Sequence, residues 1–190
     1  MSLANRVTLA RIALIPLFLI LTIPDAIWTR LIAAFIFVIA CATDPLDGYL
    51  ARARSEITDL GAILDPLADK LLVMTAFVVL VKYQSVAAWM AVVVVARELI
   101  VTSLRALVAQ KMSKVIHANR WGKAKTLIQM FGVSFLLFIA PFGQTEVLIS
   151  RSMPWISNII MAPILVATVM SGYVYVVSFK DLLWGPGSKS

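Results

Sequence analysis

Charged side chains are scarce in this sequence. The chain has 17 basic and 10 acidic residues among 190, so that 14% of its residues are charged and 61% are hydrophobic. Soluble domains have about a quarter of their residues charged, which makes a soluble cytosolic domain a poor fit. At roughly 20 residues per membrane-spanning helix, a chain of this length supplies about six spans and no separate soluble domain. The composition therefore predicts an integral membrane protein.

Cysteine and histidine are almost absent as well. Cys41 is the one cysteine and His117 is the one histidine. Their scarcity excludes a framework of disulfides within the chain and a zinc site built from Cys and His clusters. A metal site in this chain would have to use oxygen ligands, which favour Mg²⁺ or Mn²⁺.

Apolar runs predict an all-α membrane protein in which residues 1–190 form a single transmembrane domain. The six predicted spans cover 7–23, 28–50, 60–82, 86–108, 124–142 and 155–179. Helix-breaking residues separate several of them, at Pro24-Asp25, Gln84-Ser85 and Pro141-Phe142-Gly143.

The distribution of Lys and Arg predicts the orientation of these helices. Twelve basic residues fall at the N-terminal end, in the loops after helices two and four, and in the C-terminal tail, whereas Arg30, Lys82 and Arg151 fall on the opposite side. The twelve are Arg6, Arg11, Arg52, Arg54, Arg105, Lys111, Lys114, Arg120, Lys123, Lys125, Lys180 and Lys189. Because basic residues concentrate on the cytoplasmic side, both termini are predicted to be cytoplasmic.

Four aspartates lie inside the predicted spans, where an ionised group is costly and is a functional candidate. Asp44 and Asp47 end helix two, and Asp65 and Asp69 begin helix three. Spacings of three and four residues place each pair on one helical face, and the short connection predicts an antiparallel hairpin. The four carboxylates are thus expected to converge near the cytoplasmic side and to hold a divalent ion. The alternative is a set of interfacial ion pairs with Arg52, Arg54 and Lys70.

Eight positions in this hairpin resemble, in residue type and in spacing, the signature of the CDP-alcohol phosphotransferase family: Asp44-x2-Asp47-Gly48-x2-Ala51-Arg52-x8-Gly61-x3-Asp65-x3-Asp69. Other segments resemble the phosphatidylglycerophosphate synthase branch of that family. They are Asn5-x2-Thr8-x2-Arg11, residues 64–70, Ala96-Arg97-Glu98 to Thr102-x2-Arg105, and Gly122-Lys123-x-Lys125-Thr126. The resemblance implies a bacterial inner-membrane enzyme with six helices, working as a homodimer.

The resemblance also implies the reaction: transfer of the phosphatidyl group from CDP-diacylglycerol to sn-glycerol 3-phosphate with release of CMP, a step in anionic phospholipid biosynthesis. Asp44, Asp47 and Asp65 would ligate Mg²⁺ or Mn²⁺. Asp69 would be the general base and would also touch a metal ion. Gly48, Arg52 and Gly61 would hold the cytidine diphosphate.

The acceptor's own phosphate requires separate cations. Arg97 and Arg105 lie eight residues apart on one stripe of helix four, at depths that differ by roughly 12 Å. Lys123 and Lys125, with Arg105, would form a cationic entrance that Thr8 and Arg11 also line. For Arg97 the alternative is an ion pair with Glu98. For the two lysines it is contact with lipid phosphates at the membrane surface.

Two alternatives to this function stay open at the level of sequence. Another acceptor would make the chain a cardiolipin, phosphatidylserine or phosphatidylinositol-phosphate synthase of the same family. Alternatively, intramembrane carboxylates suit a divalent-cation transporter. A transporter would need polar residues leading to both faces, and 31–42 and 71–81 are almost wholly apolar. The sequence has no segment in which basic and aromatic residues alternate, so nucleic acid is not expected as a partner.

Overall fold

The computed structural model describes the backbone of residues 3–54, 59–112, 120–143 and 146–184, and most side chains within 9–43, 67–105, 122–143 and 146–177. These residues form six α-helices. Their bounds are α1 Leu3–Leu21, α2 Ile27–Arg54, α3 Asp59–Lys82, α4 Ala88–Met112, α5 Arg120–Gly143 and α6 Val147–Trp184. The prediction of an all-α fold with six helices is confirmed.

The largest difference from the predicted bounds is in α6, which begins eight residues earlier than expected and continues to Trp184. Pro154 and Pro163 both lie inside this helix. The predicted span, 155–179, begins directly after Pro154. Within an apolar bundle, proline is tolerated in a helix interior because neighbouring groups satisfy the freed backbone positions.

The predicted break between the third and fourth helices is confirmed. Gln84 has a positive φ of 56°, and the Ser85 and Val86 amides both donate to the Leu80 carbonyl at 3.0 and 3.3 Å. This left-handed residue ends α3 in the manner of a helix C-cap and reverses the chain toward α4. Nearby, Lys82 Nζ donates to the Thr22 carbonyl at 3.0 Å and ties this turn to the end of α1.

An apolar core joins the helices. Helix α5 contacts α2, α3 and α6, while α1 packs against α2 and α3, and α4 packs against α3 and α6. Fully buried side chains at the centre include Phe18, Phe37, Phe77, Leu136 and Ile164. Close packing depends on small residues as well. A Cβ added at Gly132 on α5 would lie 2.7 Å from the Ile164 Cδ1 of α6.

The outer surface is also apolar. Trp28 and Phe131 are 74% and 73% exposed, and many other large hydrophobic side chains face outward. Within the described residues, Ala124–Gly143 and Val147–Val177 are long and apolar enough to cross a membrane, and Leu9–Leu21 and Ile27–Thr43 are shorter apolar stretches. Large exposed apolar surfaces mark contact with lipid or with partners. The apolar helices indicate a membrane protein, and the crossing of the membrane by all six stays a prediction.

Candidate active site

A cavity of about 690 Å³ opens between α2, α3, α4 and α5. Apolar side chains such as Val38, Val73 and Met130 form much of its wall. Six ionisable side chains also line it, drawn from three helices: Asp69, Lys70, Arg97, Glu98, Arg105 and Lys125. An apolar cavity with a few converging polar groups is the usual form of a small-molecule site.

Glu98 is the carboxylate at which three of these cations meet. Lys70 Nζ donates to Glu98 Oε2 at 2.9 Å, and Arg97 Nη1 donates to Glu98 Oε1 at 3.2 Å. Lys125 Nζ also contacts Oε1. One carboxylate therefore links α3, α4 and α5, and because Glu98 is largely buried, this ion-pair network holds the cations in fixed positions.

Two residues of helix α6 accept hydrogen bonds from the two arginines of α4. Arg97 Nη2 donates to Ser171 Oγ at 2.7 Å, and Arg105 Nη2 donates to the Tyr175 hydroxyl. The Arg105 guanidinium also lies 4.6 Å from the centre of the Tyr175 ring, within the range of a cation–π interaction. Both guanidinium groups are thus oriented before any ligand binds.

Gly172 provides the space that Arg97 occupies against α6. A Cβ at this position would lie 3.3 Å from Arg97 Cγ and 3.9 Å from Arg97 Nε. The absence of a side chain lets the arginine stem pass close to the backbone of α6.

The cavity carries an excess of positive charge. Its described lining includes four cations and two carboxylates, a formal balance of +2. A site of low dielectric with excess positive charge attracts anions, and arginine binds phosphate through paired hydrogen bonds. The cavity therefore suits a small phosphorylated molecule.

The structure brings together four of the residues predicted from sequence. Asp69, Arg97, Arg105 and Lys125 all line the cavity. Lys125 was expected near the surface, with contact to lipid phosphates as the alternative, but its side chain is buried against Glu98. Arg97 lines the cavity and also pairs with Glu98, and its binding of the acceptor phosphate stays a prediction.

Arg11 is not among the residues that line this cavity. It is buried on α1, a helix that packs against α2 and α3, and its place at the cationic entrance stays a prediction. The side chains of the other predicted residues lie outside the described ones. They are Thr8 on α1, Asp44, Asp47, Gly48 and Arg52 on α2, Gly61 and Asp65 on α3, and Lys123 on α5.

The backbone nevertheless constrains the predicted metal ligands. Helices α2 and α3 contact one another and are joined by residues 55–58. Helix α2 ends ten residues after Asp44, and α3 begins ten residues before Asp69. Asp47 and Asp65 lie seven and six residues from the same ends. Asp44 therefore matches Asp69 in depth, and Asp47 matches Asp65. A set of carboxylate oxygens fits Mg²⁺ or Mn²⁺. Among the described side chains alone, no three His, Cys, Asp or Glu residues cluster as a metal site.

Sequence reasoning missed the residues that support the site from α6. Ser171 and Tyr175 are spaced one helical turn apart in an otherwise apolar helix, and this spacing was the available signal. Glu98 was expected to pair with one nearby cation, whereas the structure gives it three. Gln129, buried on α5 and part of the cavity wall, carried no signal in the sequence.

Comparison with known proteins assigns the chain to a family. The family model described as CDP-alcohol phosphatidyltransferase matches residues 1–170. The chain is 40% identical over 187 residues to a CDP-diacylglycerol–glycerol-3-phosphate 3-phosphatidyltransferase of Bacillus subtilis, with 92% of this chain and 93% of the relative covered.

Relatives from other bacteria have the same name. The similarity is 33% identity over 183 residues for a Rickettsia bellii protein, covering 94% of this chain and 96% of the relative. For a Pseudomonas fluorescens protein it is 38% over 147 residues, covering 74% of each chain. The resemblance seen in the aspartate signature is confirmed: the chain belongs to the CDP-alcohol phosphatidyltransferase family and is a transferase of that family.

Proposed function

We propose that the protein transfers the phosphatidyl group of CDP-diacylglycerol to sn-glycerol 3-phosphate, yielding phosphatidylglycerophosphate and CMP. Relatives that align over nearly the whole chain are named for this activity. The observation that carries the proposal is the cavity, in which Arg97, Arg105 and Lys125 lie together near Asp69. This arrangement provides a phosphate-binding group and a base within one small site.

The formal charge of the cavity favours an acceptor that carries its own phosphate. A phosphate monoester has nearly two negative charges at neutral pH, which matches the excess of two positive charges on the described lining. Serine lacks a phosphate, and phosphatidylglycerol carries a diester with one charge. Glycerol 3-phosphate is small enough for the cavity and is the acceptor for which the relatives are named.

The proposed reaction requires one proton transfer and one displacement at phosphorus. The C1 hydroxyl oxygen of glycerol 3-phosphate forms a bond to the phosphorus that bears the diacylglycerol. The bond from that phosphorus to the oxygen bridging to CMP breaks, and CMP leaves with the bonding electron pair. Asp69 takes the hydroxyl proton, and the Arg97 and Arg105 groups hold the acceptor's phosphate so that the hydroxyl points toward the phosphorus.

We further propose that the reaction depends on Mg²⁺ or Mn²⁺ held by Asp44, Asp47, Asp65 and Asp69. When bound, the ion neutralises charge on the diphosphate and on the departing oxygen. Gly48, Arg52 and Gly61 would hold the cytidine diphosphate, as the family signature implies. Support comes from the matching depths of the aspartates on α2 and α3.

The proposal also covers the membrane location, topology and oligomeric state of the enzyme. It would be a multi-pass protein of a bacterial inner membrane, with six spans, cytoplasmic termini and a site near the cytoplasmic side. The exposed apolar surface and the distribution of Lys and Arg support this placement. A homodimer is proposed from the family resemblance, and crosslinking of the detergent-solubilised protein tests it. A product the size of a monomer at all concentrations would contradict it.

Cation transport is not favoured by the packing beyond the cavity. Phe37 on α2 and Phe77 and Leu80 on α3 are fully buried in an apolar core. Among the described side chains, this core includes the part of α3 that leads to the α3–α4 turn, and a transport path to the opposite face would have to cross it.

The test is release of CMP by the purified protein in detergent. Release is expected only with CDP-diacylglycerol, glycerol 3-phosphate and Mg²⁺ all present, and removal of the metal by EDTA should abolish it reversibly. Asp69→Asn should lower kcat at least about 100-fold, in keeping with loss of a general base. Asp25→Asn changes an exposed carboxylate that pairs with Arg30 and is the matched control. Near-normal turnover in Asp69→Asn would show that the base is misassigned.

A further inference from the structure

Gln129 is a buried polar residue of the cavity wall to which the reaction above assigns no role. It lies on α5, is 3% exposed, and follows Lys125 by four residues, so the two share one face of the helix. Along the axis, Gln129 lies about 6 Å from the level of Lys125. Lys125 belongs to the group of cations around Glu98. Gln129 therefore lies one helical turn beyond that group.

The side-chain oxygen of Gln129 accepts no hydrogen bond from the described residues. Its Oε1 atom is buried and has no hydrogen-bond partner among the described residues. Leaving a buried acceptor unpaired is destabilising, so such groups in native proteins usually have a partner, whether protein, water or ligand. Because Gln129 lines the cavity, a ligand in the cavity is placed to supply the missing donor.

Two other buried side-chain oxygens without a described partner lie outside the cavity, unlike that of Gln129. Ser157 Oγ and Thr168 Oγ1, both on α6, are also buried without a partner among the described residues, but neither lines the cavity. A hydroxyl can donate to a backbone carbonyl of its own helix by a small rotation, which the carboxamide oxygen of Gln129 cannot do, since it only accepts.

The separation between Lys125 and Gln129 fits a short polyol phosphate. With its phosphate beside Arg97, Arg105 and Lys125, the three-carbon chain of glycerol 3-phosphate spans the helical turn that leads to Gln129. Of its two hydroxyls, the one on C1 is the nucleophile and gives its proton to Asp69. The C2 hydroxyl is then the donor that remains.

We propose that Gln129 Oε1 accepts a hydrogen bond from the C2 hydroxyl of the acceptor and thereby makes the enzyme select a glycerol phosphate over phosphorylated alcohols that lack this hydroxyl. The inference rests on the proposed function. A site built to bind a hydroxyl discriminates strongly against an analogue without it, because the buried acceptor is then left unpaired. Gln129 is thus a specificity-determining residue.

The test compares two acceptors, glycerol 3-phosphate and 3-hydroxypropyl phosphate. Both carry a phosphate and a primary hydroxyl, and only the first has the C2 hydroxyl. The native protein is expected to prefer glycerol 3-phosphate by at least about 10-fold in kcat/KM, the effect of one unpaired buried acceptor. In Gln129→Met, which keeps the length of the side chain, the preference should fall to within about 2-fold of unity.

The control is Ser157→Ala, which removes a buried, unpartnered oxygen outside the cavity and should leave the preference unchanged. Gln129→Asn keeps an amide but withdraws it by one methylene, and a reduced preference is expected there even if Gln129→Met does not fold.

Three outcomes would overturn the inference. The native protein could use both acceptors equally well, both Gln129 variants could keep the full preference, or both could lose activity equally toward the two acceptors, which is the mark of a purely structural role. A native protein that uses 3-hydroxypropyl phosphate as well as glycerol 3-phosphate would refute only the role of Gln129. If neither acceptor releases CMP, the proposed function itself fails.

Discussion

At the scale of single residues, Glu98 forms ion pairs with cations from three helices. Its carboxylate pairs with Lys70, Arg97 and Lys125. Removing one partner of a buried charge network leaves the remaining charges uncompensated, which typically costs about 3–5 kcal/mol. Glu98→Gln should therefore lower the free energy of unfolding by about 3 kcal/mol, measured by denaturation in detergent.

The matched control for Glu98 is Glu146→Gln. Glu146 is exposed in the connection between α5 and α6, so the same substitution there should change the unfolding free energy by less than about 0.5 kcal/mol. Equal stability of the Glu98 and Glu146 variants would contradict a structural role for the three-cation network.

At the scale of elements, α6 acts as the support for the arginines of α4. The Tyr175 hydroxyl accepts a hydrogen bond from Arg105, and a hydrogen bond to a charged group contributes about 1.5–3 kcal/mol. Tyr175→Phe should raise the KM for glycerol 3-phosphate about 10-fold, with a smaller change in kcat, because Arg105 is oriented less firmly. Steady-state kinetics with varied acceptor measures this.

Tyr173→Phe is the control on the same helix. Tyr173 is 66% exposed and lies two residues away, on the outward face of α6, so its hydroxyl should not matter for the acceptor. A KM change that is the same in both variants would mean that α6 does not position the phosphate-binding groups.

The elements also show how far the sequence could predict the structure. Apolar runs sufficed to find six helices and their order, because length and hydropathy alone define such segments. Helical rise predicted that Arg97 lies deeper in helix four than Arg105, and the structure places Arg97 in one cavity with Asp69. The pairing of α4 with α6 could not be predicted, since contacts between helices distant in sequence depend on packing shape. The roles of Tyr175 and Ser171 therefore depend on the packing of α4 against α6 and could not be predicted from the sequence.

At the scale of the whole molecule, the distribution of charge predicts the topology. Cys41 is the one cysteine and is buried, so single cysteines introduced elsewhere report accessibility over a low background. In intact cells, Gln84→Cys in the exposed α3–α4 turn should react with a membrane-impermeant maleimide. Ser188→Cys in the C-terminal tail should react only after the membrane is permeabilised. The opposite labelling pattern would contradict cytoplasmic termini.

The most direct measurement of the proposed function is CMP release with a panel of acceptors and one CDP-diacylglycerol donor. Glycerol 3-phosphate, serine, inositol phosphate and phosphatidylglycerol would be compared at equal concentration, with Mg²⁺ present. We expect rapid release with glycerol 3-phosphate and at least about 100-fold slower release with serine and phosphatidylglycerol, because the cavity's excess of two positive charges suits a phosphate monoester. Inositol phosphate also carries a monoester, and slower release with it is expected because the relatives are named for glycerol 3-phosphate as the acceptor. Faster release with any other acceptor would contradict the proposed function.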